Sequence, residues 1–210
     1  MTETPKIDND ETERNAAHTA AMKALKAERD SMMAEMREGG GLLMVHTGDG
    51  KGKSTAAFGM LARALGWGQK VAVVQFIKGK WITGERQFFR RFEDQVRYHV
   101  MGEGFTWETQ DRTRDIAAAE AAWTVVQGLL QDPDIQLLML DELNIALRYE
   151  YLDIARVLAD LKARRPGLHV CVTGRNAHPD LIDAADLVTE MTLVKHPFQQ
   201  GIKAQRGIDF

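Results

Sequence analysis

Residues 42–55 decide the fold, and they are Leu42-Leu43-Met44-Val45-His46-Thr47-Gly48-Asp49-Gly50-Lys51-Gly52-Lys53-Ser54-Thr55. An apolar run ends at Thr47, three glycines follow at alternate positions, and residues 56–63 continue with apolar side chains at helical spacing. This order predicts a strand, a glycine-rich loop and the first turn of a helix. Such a loop binds a polyphosphate, because its backbone N–H groups and the helix dipole face the anion.

We call residues 47–55 the P-loop and predict a task for its polar side chains. Its glycines let the backbone approach the phosphates, Lys53 neutralises their charge, and Ser54 can ligate Mg²⁺. The motif departs from the usual pattern, because Thr47 stands where a glycine is usual and Lys51 is an additional lysine. A flexible turn without a ligand is the alternative, and the strand and helix on either side argue against it. The candidate nucleotide-binding residues are Gly48, Asp49, Gly50, Lys51, Gly52, Lys53, Ser54 and Thr55.

The composition is that of an ordinary globular protein. A length of 210 residues indicates one domain with room for an appendage. The net charge of −3 implies neither a nucleic-acid partner nor a membrane surface. No apolar run approaches the ~20 residues of a membrane span, and the polar start lacks a signal peptide, so we expect a soluble, cytoplasmic protein. Cys171 is the only cysteine, which excludes an intramolecular disulfide, and its apolar neighbours predict a buried thiol.

Residues 1–40 differ from the rest of the chain, and we expect them to form an arm separate from a domain at 41–210. The composition from Glu11 to Arg37 favours a helix, with a thin apolar stripe that cannot form its own core. Gly39 to Gly41 then end it flexibly. The segment is either a solvated, frayed tail or a helical arm that docks on another surface, such as a second subunit.

Strands and helices alternate from Leu42 onward, which predicts an α/β fold. The expected strands are 42–47, 70–77, 96–101, 135–142, 168–173 and 187–194. The expected helices are 53–65, 85–92, 110–130, 151–164 and 179–185. This alternation predicts a mostly parallel sheet with helices on both faces, as in the RecA-like architecture of P-loop NTPases. Ligands of such sheets bind at the carboxyl ends of the strands.

Further candidate side chains lie at those strand ends. Asp141 and Glu142 follow four apolar residues, and a carboxylate there can hold Mg²⁺ together with Ser54. Acids at a helix N-terminus are the alternative, since the helix dipole favours them. Arg175 follows another strand and is either a phosphate ligand or a solvated loop residue.

Two large aromatic side chains, Phe105 and Trp107, occupy a predicted loop after a short strand. They either fold back into the core or form the wall of a pocket for a large flat ligand. Composition alone does not choose between these alternatives.

The motifs together resemble one family, the P-loop class of ATP:corrinoid adenosyltransferases. Residues 47–59 resemble its modified P-loop, and 104–110 resemble its corrinoid-facing loop. The other similar segments follow in family order at 74–79, 84–86, 140–143, 173–175, 194–196 and 201–209. The resemblance covers residues 40–210. Asp49 and Ser54 replace Asn and Thr of relatives, and both keep the polar function.

The resemblance implies a reaction and its substrates. The Co(I) of a reduced corrinoid attacks the ribose C5′ of ATP, and inorganic triphosphate leaves. Lys51, Lys53, the loop N–H groups and Mg²⁺ would stabilise the departing triphosphate. In the family, aromatic side chains displace the lower axial ligand and make Co(II) easier to reduce, and Phe105 and Trp107 match them. The resemblance also implies a reduced flavoprotein as electron donor and a homodimer whose N-terminal helix covers the partner's site.

Two other functions remain open on the sequence. A P-loop small-molecule kinase or RecA-like ATPase would release ADP instead of triphosphate. A nucleotide-dependent corrinoid carrier would bind the corrinoid tightly without forming a Co–C bond. The shifted glycines and the loop with Phe105 and Trp107 favour adenosyl transfer.

Overall fold

The computed structural model describes residues 9–36, 39–77, 83–101 and 111–209. The chain divides into two compact units, Met1–Gly39 and Gly40–Phe210. The first contains helix α1 (Asn9–Glu35), whose residues from position 10 onward are exposed. Within the described ranges, no helix combines the length and the apolar character needed to cross a membrane.

The second unit is built on a parallel sheet that confirms the predicted fold class. Its strands are β1 (Leu43–Thr47), β2 (Lys70–Gln75), β3 (Val96–Val100), β4 (Ile135–Asp141), β5 (His169–Thr173) and β6 (Leu187–Glu190). They lie in the order β3-β2-β4-β5-β1-β6, and every pair is parallel. All the carboxyl ends therefore lie at the same edge of the sheet.

Helices cover both faces of this sheet because the strands are apolar on both sides. The helices are α2 (Lys53–Gly66), α3 (Gly84–Phe89), α4 (Arg112–Leu130), α5 (Leu143–Arg148), α6 (Ile154–Lys162) and α7 (Pro179–Ala184). Alternate residues of β4 enter different cores: Leu138 packs with Trp123 of α4, and Met139 packs with Phe58 of α2. Cys171 is buried in the second core, as predicted, and burial raises its pKa to about 12.

Several element boundaries differ from the sequence prediction by a few residues, and three differences have a clear physical reason. Helix α5 was not predicted, because a short segment directly after a strand has too little length to show a helical period; burial of Leu143, Ala146 and Leu147 stabilises it. Helix α6 begins at Ile154 instead of 151, where Asp153 caps it by accepting from the Arg156 N–H. Strand β6 ends at Glu190 instead of 194, because the chain then leaves β1 and follows the P-loop.

Candidate active site

The P-loop connects β1 to α2 at the carboxyl edge of the sheet. Gly52 is the residue before helix α2 and has a φ of 110°, a left-handed conformation that glycine adopts without strain. A Cβ at Gly52 would meet nothing within 4 Å, so open space lies on that side of the loop. The first-turn N–H groups of α2, from Lys53 onward, have no acceptor within the helix and are available to an anion.

The other two glycines of the loop are required by the chain's own backbone. The Gly50 N–H donates to the Met191 carbonyl at 2.7 Å, and the Met191 N–H donates to the Thr47 carbonyl at 2.9 Å. A Cβ on Gly50 would lie 2.5 Å from the Thr192 carbonyl oxygen, and one on Gly48 would lie 2.5 Å from that of Met191. The predicted approach of phosphate to these glycines stays a prediction, and the backbone that comes close to them in this structure belongs to Met191 and Thr192.

The two lysines of the loop differ in environment. Lys53 is buried, and its Nζ donates to the Gly50 carbonyl across the loop. Burial lowers the pKa of Lys53, and the charge of Arg175 lowers it further, against the opposing effect of Glu142. Lys51 is half-exposed and forms an ion pair with Asp209, near the end of the chain.

Asp141 is the most highly connected polar residue of the site. Its Oδ1 accepts hydrogen bonds from Ser54 Oγ and from Thr173 Oγ1, both at 2.8 Å. Its Oδ2 accepts from Gln75 Nε2 at 2.8 Å. Gln75 and Thr173 are the last residues of β2 and β5, and neither was predicted to have a role. Their place as polar residues at the ends of apolar strands was the signal that could have identified them.

Glu142 follows Asp141 in the chain but differs from it in its hydrogen bonds, and its own pKa is raised. Its backbone has a φ of 60°, and its N–H donates to Thr173 Oγ1 at 3.1 Å. Burial and, to a smaller extent, the neighbouring charge of Asp141 raise the pKa of Glu142 to about 7, against the opposing effect of Lys53. The pair therefore offers one hydrogen-bonded carboxylate and one carboxyl group that titrates near neutral pH.

The side chain of Arg175 contacts the P-loop at Asp49. Its Nη2 donates to the Asp49 carbonyl at 3.4 Å, and its Nε lies 4.0 Å from Asp49 Oδ1. Gly174, directly before Arg175, has a φ of 127°, which turns the chain toward the P-loop. The buried Asn144 donates from Nδ2 to the Gly174 carbonyl at 2.8 Å. Asn144 was also missed by sequence analysis, since it belongs to the helix that was not predicted.

The donor set at this edge fits Mg²⁺. Ser54, Asp141 and Glu142 supply a hydroxyl and two carboxyl groups, the oxygen ligands that Mg²⁺ prefers alongside substrate phosphates. Among the described residues, no group of three or more His, Cys, Asp or Glu side chains is placed to hold a metal alone. A bound Mg²⁺ would therefore depend on oxygen atoms from the nucleotide.

The structure brings together the predicted residues of the P-loop, both carboxylates and Arg175. Thr55 follows Ser54 in the first turn of α2 and is exposed. Phe105 and Trp107, the predicted corrinoid-facing residues, lie outside the described residues.

The contact at Gly50 predicts a large effect from one methyl group. We expect Gly50→Ala to lower the free energy of unfolding by about 2 kcal/mol, because its Cβ meets two backbone carbonyls that cannot rotate away. Urea unfolding measures the loss. Gly59→Ala is the matched control: it lies in α2 with nothing within 4 Å, and it should stabilise the protein by up to about 1 kcal/mol. Equal effects from the two substitutions would contradict this account of the loop.

The raised pKa of Glu142 predicts a pH dependence of stability in metal-free buffer. The carboxyl is neutral in both states below pH 4.5, whereas above pH 7 folding must bury its charge. At ~1.4 kcal/mol per unit of pKa, Glu142→Gln should be about 3 kcal/mol more stable than the parent at pH 8 and equal to it at pH 4. Urea unfolding across this range measures the difference. The same substitution at the exposed Glu93 is the control, and equal pH dependence in the two variants would refute the prediction.

Comparison with known proteins agrees with this geometry. The family model described as ATP:corrinoid adenosyltransferase BtuR/CobO/CobP matches residues 39–210, which include every site residue named above. A corrinoid adenosyltransferase of Pseudomonas aeruginosa is 61% identical over 202 residues, which are 96% of this chain and 100% of that protein.

Two further relatives carry related names. A corrinoid adenosyltransferase of Sinorhizobium sp is 52% identical and covers 93% of this chain and 92% of its own length. The corrinoid adenosyltransferase CobA of Salmonella typhimurium is 47% identical and covers 86% of this chain and 91% of its own length. The match extends over the whole of the unit that holds the P-loop, and the chain belongs to the ATP:corrinoid adenosyltransferase family.

Proposed function

We propose that the P-loop and the carboxylates beside it seat the triphosphate of ATP while its 5′-deoxyadenosyl group passes to the Co(I) of a corrinoid. Family membership makes the chain an enzyme with ATP and a corrinoid as substrates, in the cobalamin pathway. The observation that supports this seating best is the Ser54–Asp141 hydrogen bond of 2.8 Å, which joins the P-loop to the end of β4.

The chemistry sets what the protein must do. Co(I) is a strong nucleophile that attacks C5′, a Co–C bond forms, and the C5′–O bond to triphosphate breaks. The enzyme lowers the barrier by holding C5′ in line with cobalt, which removes much of the entropic cost. It also stabilises the negative charge that collects on the leaving triphosphate. The N–H groups at the start of α2 supply donors for that charge without reorganisation.

We assign the loop's charged residues to the triphosphate. Lys53 is buried and held across the loop by Gly50, so its ammonium already lies at the anion site when ATP arrives. Lys51 and Arg175 lie at the loop's more exposed side and would contact the outer phosphates. Ser54, Asp141 and Glu142 would hold Mg²⁺, which supplies further charge neutralisation to the triphosphate.

The corrinoid side of the site rests on the family resemblance. Phe105 and Trp107 lie outside the described residues, and we propose that they face the corrinoid and displace its lower axial ligand. A four-coordinate Co(II) is easier to reduce. The electron donor that we propose for this step is a reduced flavoprotein, and a reaction that needs both ATP and such a donor fits the cytoplasm.

We also propose that the first unit is an arm and that the enzyme is a homodimer. Helix α1 carries exposed apolar side chains, Met22, Leu25, Met32 and Met33, with exposed fractions between 46% and 57%. A helix that exposes such a stripe gains free energy when a partner surface covers it. A second subunit is the partner that the family resemblance supports.

The product of the reaction tests the proposed function. We expect the protein, supplied anaerobically with ATP, Mg²⁺ and chemically reduced cob(I)alamin, to form a light-sensitive adenosyl-corrinoid with stoichiometric triphosphate. The corrinoid spectrum and the phosphate product are measured together. ADP and phosphate with an unchanged corrinoid would indicate a kinase or ATPase, and a bound corrinoid with neither product would indicate a carrier.

Removal of the buried ammonium tests the seating of triphosphate. Lys53→Ala should weaken ATP binding by about tenfold or more, because a charge-assisted contact inside a desolvated loop is lost. Isothermal titration calorimetry measures the affinity, and thermal unfolding verifies the fold. Lys70→Ala is the matched control, since Lys70 forms an exposed ion pair with Asp134 at the opposite edge of the sheet. Unchanged ATP affinity in Lys53→Ala would exclude this role.

A further inference from the structure

The last described residue of the chain contacts the P-loop. Asp209 forms an ion pair through Oδ1 with the Nζ of Lys51. The Asp209 side chain is only 17% exposed, whereas that of Lys51 is 48% exposed. The carboxylate is therefore the more enclosed member of the pair.

A turn holds Asp209 in place for this contact. The Gln205 N–H donates to Asp209 Oδ2 at 2.8 Å, and the Asp209 N–H donates back to the Gln205 carbonyl at 2.8 Å. The hydrogen bond from Lys51 lowers the pKa of Asp209, and the hydrogen bond from Gln205 lowers it further. Asp209 is thus an ionised group at a fixed position beside the loop.

Lys51 needs such a partner because its own position gives it little constraint. The hydrogen bond from the Gly50 N–H to the Met191 carbonyl holds the backbone before Lys51, but the side chain of Lys51 itself is 48% exposed. A lysine side chain also has several rotatable bonds, and ordering it costs conformational entropy. Lys53, by contrast, is buried and held by the Gly50 carbonyl.

We propose that Asp209 is a positioning residue that holds the Lys51 ammonium at the P-loop, ready for the triphosphate of ATP. The inference rests on the proposed function and deepens it, since it adds the end of the chain to the nucleotide site. Asp209 acts through Lys51 and touches no substrate itself. The entropic cost of ordering Lys51 is then met during folding and does not weaken nucleotide binding.

The direction in which removal of the Asp209 carboxylate changes triphosphate affinity distinguishes a positioning residue from a competitor for Lys51. Triphosphate is a polyanion, so removal of a nearby carboxylate should tighten its binding on charge alone. An Asp209 that merely competed with triphosphate for Lys51 would act in the same direction. A positioning residue predicts the reverse, because the loss of order in Lys51 outweighs the relief of repulsion.

The test is a calorimetric titration of the full chain with inorganic tripolyphosphate at fixed Mg²⁺. We expect Asp209→Asn to weaken binding by about tenfold, the value of one charge-assisted hydrogen bond. Asp209→Glu keeps the charge and should restore affinity to within about threefold of the parent. Asp134→Asn removes an exposed carboxylate paired with Lys70, and it should leave binding unchanged.

A second background shows whether the effect passes through Lys51. In Lys51→Ala, adding Asp209→Asn should cause no further loss of affinity, since nothing remains to be positioned and only the relief of repulsion is left. An equal loss in both backgrounds would mean that Asp209 only stabilises the fold, and unchanged or tighter binding in Asp209→Asn alone would also overturn the inference. Failure of the proposed function is recognised separately, by a parent protein that binds no tripolyphosphate or that releases ADP and leaves the corrinoid unchanged in the product assay.

Discussion

The site depends on one carboxylate, Asp141, which is buried at the end of β4 and accepts three hydrogen bonds of 2.8 Å. The donors come from the ends of β2 and β5 and from the first turn of α2. A buried carboxylate is costly unless its lone pairs are satisfied, so these elements must keep their register for the site to be stable. The P-loop helix is thereby tied to the sheet through Ser54, and the candidate magnesium ligands are already in place before a nucleotide binds.

Residues that follow strand β6 also contact the P-loop. Residues 190–192 pack against Gly48 and Gly50 closely enough to exclude a side chain from either position. Asp209 then pairs with Lys51 on the exposed side of the loop. The P-loop is therefore supported by segments that follow the last strand, and the family match includes them.

Charges in the free site are arranged in opposite pairs. Lys51 lies against Asp209, Arg175 lies near Asp49, and Lys53 is influenced by Glu142. A polyphosphate can replace the exposed Asp49 as the partner of Arg175, while Asp209 keeps Lys51 in place and the buried Lys53 stays at the centre of the loop. The raised pKa of Glu142, about 7, has its cause in burial and in the neighbouring charge of Asp141, which together outweigh the opposing effect of the Lys53 ammonium.

The sequence by itself determined the α/β class, the position of the P-loop, and the location of Asp141, Glu142 and Arg175 at strand ends, because hydrophobic periodicity and glycine spacing are local properties of the chain. It did not predict helix α5, which is too short to show a period. Nor did it predict that Gln75, Thr173 and Asn144 would support the site. Only the tertiary structure decided that the backbone of residues 191 and 192 leaves no room for a side chain at Gly48 and Gly50. It also decided that Lys51 pairs with Asp209. These contacts join residues far apart in the chain, and only the strand order and the path of the final segment bring them within reach of each other.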